Sequence, residues 1–227
     1  MHRITSLLTL LCLLLTLTAC GDTDSAVEAG QANVSNVSSN GVGDSTADAR
    51  RGEARPEWSL EDFQPNSPRF ETRYGLEAFD GDVTLIALFA GWCGYCRGQA
   101  VHLETLQKEL EDEGYSVNVL AINAVNANEQ SYRDALVYVL DDDGNITQDE
   151  NGEPIYRCTY PMFQDTDDVN AWALHQGSKD DFFIYDADGE LWRWLPISGD
   201  VDTNLGDPIN FANFKALLIE AIGDNSE

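Results

Sequence analysis

The stretch ALFAGWCGYCRGQA, residues 87–100, sets two cysteines two residues apart behind an apolar run and ahead of a stretch with helical periodicity. Such a pair can exchange electrons with a disulfide, reduce a peroxide, hold a zinc ion or staple a turn, and the flanking residues discriminate among these. Upstream, residues 83–90 are continuously apolar, as expected of a strand buried on both faces. Downstream, Val101, Leu103, Leu106 and Leu110 recur on one side of a helix whose other side is Glu and Lys. Gly114 falls where the helix C-terminus takes a left-handed residue. Cys93 therefore sits at a helix N-terminus, where unpaired N–H groups and the positive end of the dipole favour a thiolate. The first turn brings Cys96 to the same sulfur, so attack by Cys93 on a disulfide gives a mixed disulfide that Cys96 resolves. Lowering a thiol pKa from ~8.5 to ~7 makes about half of it thiolate at pH 7, but at a Brønsted slope of ~0.45 costs about fivefold in nucleophilicity. The pair reads as a tuned redox couple more than as a fast nucleophile.

Working outward, residues 117–122 form a second buried strand and residues 130–139 a short helix. Residues 182–185 and 190–195 flank the turn signal DADG, and residues 211–222 close the chain as an amphipathic helix. The order β-α-β-α-β-β-α predicts an α/β domain with the thioredoxin-like fold, a central mixed sheet flanked by helices. Its first packing groups are Pro56, Trp58, Leu60 and Phe63, which bounds the domain at 56–227. An acidic insertion over about 140–157 interrupts it. As an EF-hand loop this insertion places Asp141, Asp143, Gly144, Ile146 and Glu150 acceptably, but Val139 stands where the first carboxylate belongs. It is expected to be a solvated, turn-rich hairpin. DADGEL fails as a calcium loop too, because Leu195 occupies the place of the bidentate Glu.

The 227 residues carry 13 Lys+Arg against 40 Asp+Glu, a formal charge of −27. Without the first twenty residues, which contain only Arg3 among these, the balance is 12 − 40 = −28. Nucleic acid is excluded as a partner for such a surface, and anionic lipid head groups are repelled. The opening MHRITSLLTLLCLLLTLTAC has a basic start and an apolar run at 7–17 too short to span a bilayer, which reads as a secretory leader. Its end, Leu17-Thr18-Ala19-Cys20, looks like the lipobox of bacterial lipoproteins, making residues 1–20 a signal peptide and Cys20 the lipidation site. The expected location is the bacterial cell envelope, lipid-anchored, with the domain on the periplasmic or extracellular side. Residues 21–55, rich in Ser, Asn, Gly, Ala and Asp, are expected to be a disordered tether holding the domain about 30–35 Å from the membrane.

Processing at Cys20 would leave Cys93, Cys96 and Cys158, an odd number that excludes a multi-disulfide scaffold. Zinc would need Cys93, Cys96, Cys158 and His175 together, without a second paired-ligand motif, so no metal is expected. No cofactor is expected either. His102 falls on the solvated helix face, and Cys158 reads as a buried bystander, with a third redox partner as its alternative.

The segment VNAWALHQGSKDDFFIYDADGELWRWLP resembles the N-terminal domain of selenoprotein P, on the matches Trp172, Gly177, Ser178, Lys179, Asp180, Asp181, Phe182, Ile184, Tyr185 and Asp186. The helix after the cysteines agrees at Gln99, Ala100, Leu103, Glu104, Leu106, Leu110, Glu113, Gly114 and Tyr115, the start at Pro56, Trp58 and Ser59, and the middle at Pro161. In that family the first redox position is selenocysteine, with cysteine three residues on, so the resemblance implies a sulfur version of the site at Cys93 and Cys96. It also implies peroxide reduction or thiol chemistry. No selenocysteine-rich tail or histidine-rich heparin-binding segment is read here, so selenium transport is not expected.

Thioredoxins carry a cis-proline before the third strand, where SKDDFFIYD puts Asp180 or Asp181. Two readings stand for it: a carboxylate capping backbone N–H groups where the proline is missing, or one beside the sulfurs that exchanges the proton of Cys96 while Lys179 offsets its charge. Trp92, Gly94 and Tyr95 are expected to shape substrate approach, with Pro161 supporting the neighbouring loop. The expected protein is a monomeric, exported thiol-disulfide oxidoreductase with a protein disulfide or peroxide as substrate and a separate electron donor. Its alternatives are a thiol peroxidase acting on hydrogen peroxide or lipid hydroperoxides, in which Cys93 becomes a sulfenic acid, and a non-catalytic binding module with a structural disulfide.

Overall fold

All seven residues of Val83–Phe89, apolar but for Thr84, are buried, so both faces of their strand are covered and the sheet grows outward from it. A computed structural model describes residues 49–224; the leader, Cys20 and the tether as far as residue 48 lie outside the described residues. In chain order the elements are β1 (Leu60–Asp62), β2 (Arg73–Tyr74), β3 (Val83–Phe89), α1 (Gly94–Asp112), β4 (Val117–Asn123) and α2 (Gln130–Val137). Then come β5 (Met162–Gln164), α3 (Ala171–Leu174), β6 (Phe182–Tyr185), β7 (Leu191–Leu195) and α4 (Pro208–Asp224). They form a seven-stranded mixed sheet of order β2-β1-β5-β4-β3-β6-β7. The β3–β4 and β4–β5 pairs are parallel, and β6 runs antiparallel to β3.

Because side chains alternate along a strand, β3 feeds two cores. Leu85, Ala87 and Phe89 meet Leu103, Leu106 and Leu110 of α1 and Phe214 and Leu218 of α4. Ile86 and Leu88 meet Trp58, Tyr74, Phe163 and Phe183 on the opposite face. Phe182 links the first core, edge-on to Phe89 at 6.0 Å and to Phe214 at 5.1 Å, each pair worth about 0.5–1.5 kcal/mol beyond its burial. Helix α1 ends as its glycine requires: Gly114 adopts φ +87° and Tyr115 N–H returns to the Leu110 carbonyl. Val101, expected on the apolar side, is instead exposed, because the buried stripe runs through Cys96, Ala100, Leu103, Leu106 and Leu110. Helix α4 begins at Pro208 rather than 211: proline suits the first helical position, and Asp207 caps the N–H groups of Ile209 and Asn210.

Strands β1, β2 and β5 were not evident in the sequence. At two or three residues each they are too short to show a period, and a buried polar residue holds them. Asp62 accepts the Tyr74 hydroxyl at 2.6 Å and the N–H groups of Gln64 and Met162 at 3.0 and 3.2 Å. Residues 50–55, assigned by composition to the tether, are instead laid along β7. Gly52 N–H donates to the Leu191 carbonyl, Leu191 N–H to the Glu53 carbonyl and Arg55 N–H to the Gly189 carbonyl. Backbone pairing covers a sheet edge whatever the side chains are, and Arg50 adds its guanidinium 5.0 Å from the Trp194 ring centroid. The acidic insertion is a bridged ribbon, with Tyr138 opposite Tyr156, Leu140 opposite Ile146 and Gln148 opposite Pro154. Asp141 and Asp149 turn onto their own loops, where the N–H groups of Asn145 and Glu153 hold them below the usual carboxylate range.

Candidate redox site

The site stands where β3, α1 and the approach to β6 meet. Gly91 lets the chain pass between strand and helix: a Cβ there would lie 2.1 Å from the Tyr132 carbonyl oxygen. Its N–H donates to Asn123 Oδ1 at 3.0 Å, and the Asn123 amide donates in turn to the Ala127 carbonyl and to Gln164. Asn123, at the end of β4, thus fixes the loop that carries the cysteines. The polar residue closing the apolar run VNVLAIN was the only sequence signal for it.

Cys93 is the N-cap of α1, and its Sγ accepts the Cys96 N–H at 3.2 Å. Cys93 is 9% exposed and Cys96 fully buried, and both thiols are free. Cys96 donates its thiol proton to Asp180 Oδ1 at 2.9 Å. The other Asp180 oxygen takes the Lys179 ammonium, which lies 3.5 Å from Cys93 Sγ. A closed polar circuit results: Cys93, Cys96, Asp180, Lys179 and back to Cys93. Burial, followed by the hydrogen bond to Asp180, pushes the Cys96 thiol far above the ordinary thiol range. Burial would lower the Lys179 ammonium, but the bond to Asp180 and its charge outweigh this and hold it up.

The two aspartates are placed differently. Asp180 is buried at φ +69°, a left-handed conformation that Asp tolerates better than most side chains, and its N–H donates to the Leu88 carbonyl. Asp181 faces away from the sulfurs and is a cap: it accepts the N–H groups of Ser178 at 2.8 Å and Ile197 at 2.9 Å, and the Trp194 indole at 3.3 Å. Trp92 and Tyr95 flank the pair, 45% and 40% exposed, with the Trp92 indole anchored on Asn126. Gly94 opens α1. Pro161 precedes β5 and its carbonyl accepts Ala121 N–H, which aligns it with Ala87 in mid-strand, not with the end of β3.

The four-residue zinc set is not assembled. Cys158 is buried beside Gln64 and Leu136, and His175 lies between Trp58 and Tyr185. Among the described residues, Cys93, Cys96 and Asp180 are the only His, Cys, Asp or Glu group close enough to share an ion, their ligand atoms lying within 4.8 Å of one another. The Lys179 ammonium already engages two of these three donors.

A family model described as "Selenoprotein P, N terminal region" matches residues 47–198. Selenoprotein P of Homo sapiens is 32% identical over 161 residues, covering 70% of this chain and 33% of its own. That of Bos taurus is 33% identical over 138 residues, covering 60% and 28%. The chain thus spans about a third of the length of the curated relatives it matches. Among solved structures, a provisionally assigned thiol:disulfide interchange protein DsbE from Chlorobium tepidum superposes with a TM-score of 0.53 at 16% identity, covering 76% of this chain and 97% of its own. A provisionally assigned protein disulfide isomerase from Bacteroides thetaiotaomicron gives 0.50 at 17%, covering 77% and 91%. The fold is thioredoxin-like.

Proposed function

We propose, from the premise that this chain belongs to the family of the selenoprotein P N-terminal region, that it is a thiol-disulfide oxidoreductase in which a cysteine pair does the redox chemistry. The observation that carries this reading is the 2.9 Å contact between Cys96 Sγ and Asp180 Oδ1. A merely structural cysteine needs no buried carboxylate to receive its proton.

The Cys93 thiolate, facing the Cys96 N–H and the Lys179 ammonium, attacks one sulfur of a substrate disulfide. The substrate S–S bond breaks, a Cys93–substrate disulfide forms, and the first thiolate leaves and is protonated from solvent. Cys96 then passes its proton to Asp180 and attacks Cys93 Sγ. The mixed disulfide breaks, the Cys93–Cys96 bond forms, and the second substrate thiolate leaves with a proton. Two electrons have moved from the protein dithiol to the substrate disulfide, and an external dithiol resets the pair by the reverse steps.

The test mixes reduced full-length protein with insulin, hydrogen peroxide or a lipid hydroperoxide and follows Cys93–Cys96 oxidation by mass spectrometry. Oxidation by insulin faster than by equal peroxide is the expected result. Faster oxidation by peroxide would move the reading to a thiol peroxidase, and an oxidised pair that strong dithiols cannot reduce would leave only a structural disulfide.

No helix among the described residues is long and apolar enough to cross a membrane. The leader ending at Cys20 supports export and lipid anchoring as part of the same proposal, with the protein acting as a monomer. Processing of the leader should be blocked by globomycin and by Cys20→Ser; processing unaffected by both would remove the anchor.

A further inference from the structure

Donors of two chemical kinds converge at the start of α1. The sulfurs of Cys93 and Cys96 and a carboxylate oxygen of Asp180 lie within 4.8 Å of one another. Two such atoms bound to one tetrahedral ion at ~2.1–2.3 Å stand about 3.6–3.8 Å apart, so a contraction of about 1 Å would close all three around it. A cation is already seated on them: the Lys179 ammonium is bonded to Asp180 Oδ2 and lies 3.5 Å from Cys93 Sγ. We propose that the reduced pair and Asp180 form a site for a thiophilic divalent cation of the zinc and cadmium class, with Lys179 as its tethered competitor. The inference rests on the oxidoreductase reading and names a regulation of the same site. The sulfurs that would hold the ion are those that form the disulfide, so a bound ion and oxidation exclude each other.

The two cations differ in what they offer the donors. An ammonium is a compact, hydrated charge that hydrogen-bonds: it satisfies Asp180 and rests against the Cys93 sulfur without bonding to it. A zinc-class ion takes thiolate as its preferred ligand and accepts carboxylate as well. Because the ligand is the thiolate, the Cys96 proton leaves to solvent as the ion binds. Two thiolates and one carboxylate then face a divalent ion and the displaced ammonium, and their charges cancel. Lys179 is free to withdraw, since its side chain is 36% exposed against 2% for Asp180, and its polar contacts are with the donors themselves. The fourth position falls to water or an incoming thiolate. Cys158 is held beside Gln64 and Leu136, and His175 between Trp58 and Tyr185. Three protein ligands and one open position make an exchangeable site, not a closed structural one.

The experiment titrates reduced full-length protein with cadmium, whose thiolate bonds absorb in the ultraviolet, and then displaces it with zinc. The reduced wild type should take up one equivalent with that band, and the oxidised protein none. Lys179→Gln removes a like charge from beside the ion and should tighten binding about tenfold or more, whereas Lys179→Arg, which keeps the charge, should stay near the wild type. In the Lys179→Gln background, Asp180→Asn should reverse the gain and Cys96→Ser should abolish the one-equivalent band. Zinc-loaded wild type should be oxidised by insulin more slowly than the metal-free protein. Equal affinity in the wild type and Lys179→Gln, or a band that survives Cys96→Ser, would overturn the site and leave the redox reading standing. An oxidised pair that strong dithiols cannot reduce would overturn both.

Discussion

Asp180→Asn is expected to stop the reaction halfway. The first step, attack by Cys93, does not use the Cys96 proton; the second cannot proceed without removing it. Burial and the Asp180 bond hold that proton far more tightly than an ordinary thiol holds its own, and the carboxylate at 2.9 Å is its acceptor. A positioned general base contributes about 10²–10⁴-fold, so turnover of a protein disulfide should fall by about 10²-fold or more while a Cys93–substrate mixed disulfide accumulates. In the variant the resolving step should depend on hydroxide, rising about tenfold per pH unit through neutrality, whereas the wild type should be nearly flat there. Asp181→Asn should behave differently. Its oxygens hold the N–H groups of Ser178 and Ile197, so the cost should appear as about 1–3 kcal/mol of stability, without mixed disulfide. If Asp180→Asn turns over like the wild type, the carboxylate is not the proton acceptor.

The second large effect is acid lability below neutrality, originating at His175. This residue is fully buried, and the Trp58 indole donates to its Nε2 at 3.0 Å. Since indole can only donate, Nε2 carries no proton, and Nδ1–H is the one that faces the Tyr185 hydroxyl at 3.0 Å. A second proton has no acceptor there. Burial, with a smaller contribution from the Arg50 charge, lowers the His175 pKa to about 3. The unfolded chain titrates near the ordinary value of about 6.5. The folded value is the depressed one, so the unfolded state binds the extra proton as pH falls, and stability present above about 6.5 is lost progressively down to about 3. From pH 7.5 to 5 this one group should remove about 2 kcal/mol, an interval in which ordinary carboxylates are still ionised. Urea unfolding at several pH values reads this directly. His175→Gln, which keeps a side-chain acceptor for Trp58, should flatten the profile in that interval; an unchanged profile would place the acid sensitivity elsewhere.

How much of this was legible beforehand follows from the range of the interactions. The long elements announce themselves because burial has a pattern: β3 and β4 are mostly apolar runs, and α1 repeats its buried residues every three or four positions. Cys93 and Cys96 are neighbours in sequence, so spacing alone joined them. The short strands β1, β2 and β5 carry no period, and what holds them is Asp62, reaching Tyr74 and Met162 from twelve and one hundred residues away. The strap at residues 50–55 reads as tether because its stability lies in backbone pairing with β7, which composition does not encode.

By itself, the sequence determined the cysteine pair, the helix that carries it and the order of the main strands. It also brought an aspartate into play at the place of the missing proline. Only the tertiary structure decided which one: adjacent residues at a turn point to opposite sides, and the left-handed φ of Asp180 directs its carboxylate to Cys96, leaving Asp181 to cap the turn. It likewise decided the anchoring of the cysteine loop by Asn123. The contacts of Asn123 with Gly91 and of Asp180 with Cys96 join residues 32 and 84 positions apart. No local pattern marks such contacts, because the free energy that selects them comes from packing the sheet.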